Sequence, residues 1–406
     1  MRTRLVCAIA VAALAWGVGA QAAATKWAPA VKSKPLSQNV KKGLAWLAKT
    51  QQKSGGWAQG EESEAMGHSL DSVRDKPNVA DTCVAAMALI RAGSTPSKGQ
   101  YASNVRSAVN YVCAQVEEAD KDSLWVTDVK GTRVQSKLGQ YIDTFMASNL
   151  LSEVKGQMPD RKGDARVKAA LEKVVKKMEK NQRDDGTWGN QGWAPVLAQS
   201  MASKAINKAA QRGIKVNEQT RERAENYARG QFDKSSGKFK GEGSAGVALY
   251  SAGGNLAAIQ DSVTTNNQLE ADLKKEAKSA PTAAERKAAG DKLRRFADAK
   301  VDLAGAQSSI IGRMDDKEFI SGFGSNGGEE FLSYMNIGES LVVKGGKEWQ
   351  SWDRSITENL NRIQNKDGTW TGHHCITGRT FCTAAALMVL TTDRAPVAVA
   401  GEIKRR

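Results

Sequence analysis

The stretch Gly372-His373-His374-Cys375-Ile376-Thr377-Gly378-Arg379-Thr380-Phe381-Cys382 is the densest polar cluster in the chain and holds two of its three histidines beside an arginine. Imidazoles move protons near neutral pH and a guanidinium can hold an anion, so His373, His374 and Arg379 are the candidate catalytic residues. A plainer reading stands beside that one. In it, Thr377 or Thr380 caps the helix that follows, while His374 and Arg379 bond free carbonyls of a neighbouring segment. A second set is aromatic: Tyr141, Phe145, Trp193, Tyr250, Phe331 and Tyr334 are placed to line a ligand cavity. The glycines of Gly241-Glu242-Gly243-Ser244-Ala245-Gly246 suggest a phosphate loop, but the Gly-Lys-Ser/Thr ending and a preceding strand are missing. They read as a helix entry.

The elements that position these residues come from a repeat. Gln51-Gln52-Lys53-Ser54-Gly55-Gly56-Trp57, Gln182-Arg183-Asp184-Asp185-Gly186-Thr187-Trp188 and Gln364-Asn365-Lys366-Asp367-Gly368-Thr369-Trp370 all fit Gln-x-x-x-Gly-x-Trp. Each follows a stripe of apolar residues in steps of three and four: Val40, Leu44 and Leu47; Val167, Leu171, Val174 and Met178; Trp352, Ile356, Leu360 and Ile363. Each precedes a helix that is small and apolar nearly all round, over 79–92, 193–206 and 383–390, and such a helix must be buried on most sides. In the turn itself the glycine (Gly55, Gly186, Gly368) can take positive φ and stop the outer helix. The tryptophan (Trp57, Trp188, Trp370) packs between neighbouring hairpins. The glutamine (Gln51, Gln182, Gln364) satisfies backbone groups of an adjacent helix.

At roughly 40 to 47 residues per helical pair, the spacing leaves room for degenerate copies. Val105, Val109 and Val112 pair with 141–151; 221–232 pairs with 245–252; a helix ending near Ile311 pairs with 329–341. That makes six outer-inner hairpins. From about 264 to 292 the chain is rich in Lys, Glu and Ala and reads as an exposed helical insertion.

Repeated Gln-x-x-x-Gly-x-Trp turns between amphipathic and apolar helices resemble the repeat of squalene and oxidosqualene cyclases and, in looser form, of protein prenyltransferase β subunits. The resemblance covers nearly the whole chain after residue 22. It implies an all-α domain over 23–400, an α/α toroid with six inner and six outer helices around a central cavity. Function carries over less well. The cyclases protonate a double bond with Asp-x-Asp-Asp, a positioned strong acid. Here Asp184-Asp185 and Asp315-Asp316 leave that motif incomplete, so triterpene cyclisation is not expected. The prenyltransferase subunits hold catalytic zinc with Asp-x-Cys and a later His. The counterparts are Asp81-Thr82-Cys83 and His373-His374-Cys375, in a different element order, with His68 and Cys382 as further candidates. In a closed ring the first and sixth hairpins are neighbours, so Asp81, Cys83, His373, His374 and Cys375 could meet as a zinc site. Thioester domains share this toroid, but their Gly-Cys-Gly-Glu-Gln sequence is absent.

Residues 1–22 read as a signal peptide: Arg2 and Arg4, an apolar run from Leu5 to about Val18, then small residues to Ala22. The run is too short for a transmembrane anchor. Cys7 lies at its start and does not suit lipid attachment. Export to the periplasm or the medium is therefore expected, and it permits disulfides among Cys83, Cys113, Cys375 and Cys382. Residue types favour disulfides over zinc, and several pairings are open, including Cys83–Cys113 and Cys375–Cys382. The formal net charge of +15, which falls by two with the signal, suggests attraction to an anionic surface. The lysines are spread over most helices and residues 401–406 form a basic tail, so no nucleic-acid partner is expected.

Three functions stay open. The leading one is binding of an apolar or amphiphilic, isoprenoid-like molecule in the toroid cavity. A zinc-dependent transferase or lyase is the second, and a non-catalytic interaction scaffold the third. A cavity walled by the six aromatics favours the first, convergence of Asp81, Cys83 and a late histidine the second, and a plugged ring the third.

Overall fold

The computed structural model describes residues 27–66, 70–189, 191–324 and 326–398. The signal peptide, the basic tail and His68 lie outside them. Twelve long helices among the described residues alternate between an outer and an inner ring. The outer ones are α1 (Gln38–Thr50), α3 (Ala102–Glu118), α5 (Arg161–Asn181), α7 (Glu218–Gly230), α9 (Ala283–Ile311) and α11 (Gly346–Ile363). The inner ones are α2 (Val79–Arg91), α4 (Ile142–Val154), α6 (Pro195–Gln211), α8 (Ala248–Ser279), α10 (Gly328–Lys344) and α12 (Arg379–Leu390). Each inner helix packs on the next, and α12 packs back on α2, which closes the ring. The chain is thus an all-α toroid of six hairpins.

Outer helices bury one stripe, as their period requires: Val40, Leu44 and Leu47 in α1, Trp349, Trp352, Ile356 and Leu360 in α11. Inner helices are buried nearly throughout; in α4 every residue is. Many of their small polar residues bond backbone carbonyls, as Asn149 Nδ2 does to Phe145 O and Met201 O.

The three repeat turns are the same device used three times. Gly55, Gly186 and Gly368 have φ of +90°, +89° and +91°. A Cβ on Gly55 would sit 2.4 Å from Ser107 O in α3, and one on Gly186 2.3 Å from Arg223 O in α7. On Gly368 it would lie 2.7 Å from Lys42 Cβ in α1. Each turn therefore presses on the next outer helix. The glutamine amides finish the clasp: Gln51 Nε2 donates to Gly55 O and Asn104 O, Gln182 Nε2 to Gly186 O and Thr220 O, Gln364 Nε2 to Gly368 O and Asn39 O. Tryptophans Trp57, Trp188 and Trp370 donate from Nε1 to Leu47 O, Met178 O and Leu360 O, carbonyls left free at the end of the preceding helix. The third clasp joins α11 to α1 and so closes the outer ring.

The charged segment at 264–292 is a prolongation of α8 and α9, a projecting antiparallel hairpin with its own small core of Leu273, Ala289 and Phe296. The described residues also hold four short strands: β1 (Trp27–Pro29), β2 (Phe232–Asp233), β3 (Lys238–Phe239) and β4 (Pro396–Ala398). β2 pairs with β3, and β1 pairs antiparallel with β4, so the first and last described segments lie side by side.

The two ends of the ring differ. At the C-terminal ends of the inner helices, Glu339 of α10 accepts from Arg91 of α2 at 2.6 Å and from Lys204 of α6, which ties three alternate inner helices together. Lys208 pairs with Glu153 beside them at 2.5 Å. Burial works to raise Glu339, but Lys204 and Arg91 together hold it well below the ordinary carboxylate range. The N-terminal ends form a mouth, where the long outer-to-inner loops gather: 51–78, 119–141, 182–194, 231–247, 312–327 and 364–378.

Candidate functional site

The mouth is floored by carboxyl groups in the first turns of inner helices. Asn78 caps α2 by accepting from Asp81 N at 2.9 Å, and its Nδ2 donates to Asp81 Oδ2 at 2.7 Å. Asp81 Oδ1 is buried with no hydrogen-bond partner. Burial pushes Asp81 up to about 7, against the bond from Asn78. Asp143 of α4 crosses to the same end: Oδ1 accepts from Ala80 N at 3.0 Å and Oδ2 from Gln135 Nε2 at 2.8 Å, and burial raises it to about 6.

In α10, Glu329 and Glu330 enter together. Glu329 Oε2 accepts from Ile376 N at 3.1 Å, while Oε1 is buried without a partner. Burial, then the charge of Glu330, pushes Glu329 up to about 8. Glu330 accepts from the Tyr250 hydroxyl, from Phe323 N at 3.1 Å and from Gly327 N at 2.9 Å. Burial raises it too, against the bond from Tyr250. Burial thus favours the protonated, neutral form of Glu329 and Asp81, and all four carboxyl groups lie shut from solvent beneath the mouth loops.

Across this floor runs a row of aromatic rings in edge-to-face contact. Tyr250 meets Trp193 at 5.9 Å, Trp193 meets Phe323 at 5.1 Å, Phe323 meets His374 at 4.7 Å, and His374 meets His373 at 6.1 Å. Phe323 is 52% exposed, one of the few large apolar side chains left to solvent. Lys137 Nζ stands 5.4 Å over Trp193, and Arg133 grips Glu62 with two bonds at 2.7 and 2.9 Å at the edge.

The structure thus joins two sets that the sequence held apart, Trp193 and Tyr250 with His373 and His374. It separates others. Arg379 is taken by Asp367 at 2.6 Å and Glu61 at 3.3 Å on the rim, and neither Thr377 nor Thr380 caps α12, whose N-cap is Gly378. Tyr141 and Phe145 line a separate shallow cleft with Trp188 and Ala198. Phe331 and Tyr334 are 0% and 1% exposed, with Tyr334 turned outward onto Trp352, so they fill the core and wall no chamber.

The zinc set does not form. Asp81 and Cys83 sit two residues apart on one helix, about 200° around its axis, so they face opposite ways. Cys83 is fully buried near Asp143 and Cys113, and Cys382 donates to Ile376 O at 3.2 Å. Among the described residues no three His, Cys, Asp or Glu side chains, Asp81, Cys83, His373, His374 and Cys375 included, are grouped to hold a metal ion. The expected disulfides are corrected as well: Cys83, Cys113, Cys375 and Cys382 all carry free, buried thiols. Cys375 lies in the mouth loop in the left-handed region, at φ +63°. Burial, with Glu329 adding, pushes its thiol up to about 12, so it is no thiolate nucleophile.

Sequence reasoning missed Asp143, Glu329, Glu330, Lys137 and Phe323. One signal was available. An acid in the first turn of a helix that is otherwise apolar all round must be buried with it, and Asp81, Asp143 and Glu329 share that position.

No protein-family model matches the chain, and no curated protein matches it. Among solved structures it is similar to a chain from Salmonella enterica serovar Paratyphi A, described as a possible member of the GH105 family. The two share 12% identity at a TM-score of 0.45, over 88% of this chain and 95% of that one. A likeness at that level says nothing about chemistry. The toroid itself stands on the closed ring of inner helices and the three clasps between outer ones.

Proposed function

We propose that this protein is an exported binding toroid that holds a small amphiphilic molecule at its mouth rather than in its axis. The observation that carries this reading is the aromatic row with half-exposed Phe323 at its middle, whose backbone N–H donates to Glu330, the neighbour of Glu329 with its unpartnered oxygen. Such a place offers an exposed apolar ring above acids buried under the mouth loop, which suits a ligand with an apolar body and a polar head. Export rests on residues 1–22, and the N-terminal sequence of the secreted protein tests that part directly.

Saturation-transfer NMR with farnesol as the probe tests the mouth. Farnesol signals are expected with the wild type and are expected to vanish with Phe323→Ala and with Trp193→Ala. Undiminished signals in both variants would place the ligand elsewhere. A second reading, an enzyme using acid–base chemistry at the same place, is favoured by Asp81 and Glu329, two acids raised toward neutrality in one mouth. In that case Glu329→Gln retains ligand binding but ends conversion of the bound molecule, read by mass spectrometry of extracts.

A further inference from the structure

Two adjoining clefts extend the mouth sideways. The inner one, of about 530 Å³, is lined by Val247 and Leu249 at the start of α8, by Glu318 and Phe319, and by Phe323, the exposed ring of the aromatic row. The outer one, of about 650 Å³, is lined by Ser236, Lys238 and Phe239 of the β2–β3 hairpin, by Ser308 near the end of α9, and by Arg313 and Phe319. Both clefts share Ala248, Arg313 and Phe319, so they are two chambers of one trough that begins at Phe323. Ser309 Oγ donates to Gly237 O at 2.6 Å and pins the hairpin to α9. At the junction the Arg313 guanidinium lies 4.1 Å over the Phe319 ring. Chambers of this volume take a small organic molecule.

Charge divides the chambers. Glu318 lines the inner one, whereas the outer one is lined by Lys238 and Arg313 and by no carboxylate. Lys238 is exposed and has no ion pair among the described residues. Arg313 is paired with Asp316, but its two bonds, from Nε at 3.3 Å and from Nη2 at 2.9 Å, both go to Oδ2 and leave Nη1 unengaged. The four buried carboxyl groups beneath the mouth loops offer an anion no partner, so a negative charge on a ligand belongs in the outer chamber. The rings of Phe323 and Phe319 lead there and suit an apolar body. Resting on the mouth reading above, we propose that the amphiphile held there is anionic. Its body lies along Phe323 and Phe319, and its carboxylate or phosphate head meets Lys238 and Arg313.

The probes are decanoate, decyl phosphate, decanol and decylammonium, each titrated into the full protein by calorimetry at neutral pH and low salt, where exposed cations act most strongly. Wild type is expected to bind the two anions about tenfold more tightly than decanol, and decylammonium more weakly still. The tighter of the two anions names the head group. Lys238→Gln combined with Arg313→Gln changes two solvent-exposed side chains. It is expected to bring both anions down to the affinity of decanol and to leave decanol unchanged, a split that misfolding does not produce. Equal affinities for the anions and decanol in the wild type, tighter binding of decylammonium, or an anion preference that survives the double variant would each overturn the inference. The mouth reading is judged separately. Farnesol signals that vanish in Phe323→Ala, with no anion preference in the wild type, strike this inference alone, whereas signals unchanged in Phe323→Ala and Trp193→Ala strike the mouth itself.

Discussion

Arg91, the last residue of α2, reaches Glu339 of α10 at 2.6 Å although α12 lies between their helices in the ring. The bond spans 248 residues of sequence and is shared with Lys204 from a third inner helix. Replacing Glu339 by Gln leaves two buried cations without their common anion, a loss of about 3–5 kcal/mol. Urea unfolding should show it, and Glu339→Gln combined with Arg91→Met and Lys204→Met should recover part of it. A midpoint unchanged in the single variant would remove this tie from the account of the fold.

The clasp glycines are replaceable only at a cost. Gly368→Ala sets a side chain at φ +91° and drives its Cβ against Lys42 of α1, so a loss of about 1–3 kcal/mol is expected. Gly237, also at positive φ but with nothing within 4 Å, is the control and should lose less. Equal losses would mean that backbone conformation, and not contact with the next helix, decides.

Stability should fall as pH rises through neutrality. Asp81, Asp143 and Glu329 have folded values of about 7, 6 and 8, above the unfolded carboxylate range near 4, so the folded state binds more protons between. The contribution of these protons is fully present below about pH 4 and is lost as pH climbs to about 8. Glu339 has the opposite sign: its folded value is depressed, so its contribution is present above about pH 4 and lost only below it. Maximal stability near pH 5 follows. Thermal melts at pH 5 and pH 8 check the sign, and Glu329→Gln should flatten the slope.

The four thiols should be invisible to Ellman's reagent in the native protein and should all react once it is unfolded, because each is free and buried. Fewer thiols after unfolding without reductant would restore a disulfide. Dialysis against EDTA should leave the melting temperature unchanged, since no ligand set converges among the described residues.

The architecture was legible because its signals are local and repeated. Gln-x-x-x-Gly-x-Trp marks a turn closed by bonds within ten residues, to which the glutamines add contacts with the next outer helix and Trp57 N and Trp370 N add bonds to Thr82 and Thr383 of the following inner helix. Of the residues around the mouth, the sequence singled out one stretch and passed over the acids Asp143, Glu329 and Glu330. The polar stretch 372–382 does form part of the mouth, yet its arginine goes to the rim and its cysteines stay protonated. Glu329 gave little sign of its role, because an acid in a first turn is an ordinary helix start. What sets it apart is the loop 371–378 laid over it, which delivers Ile376 N to one oxygen and shuts water from the other. Asp81 and Cys83 failed as a pair for the reverse reason: adjacency in a motif is not adjacency on a helix.

The clasp made by Gln364, Gly368 and Trp370 on α1 is built like the two inside the chain, and β1 and β4 set residues 27–29 next to residues 396–398. The hairpin order therefore has a beginning only in the gene. A circular permutant, joined from residue 398 back to residue 27 and opened at the turn 155–160 between α4 and α5, should wind into the same ring.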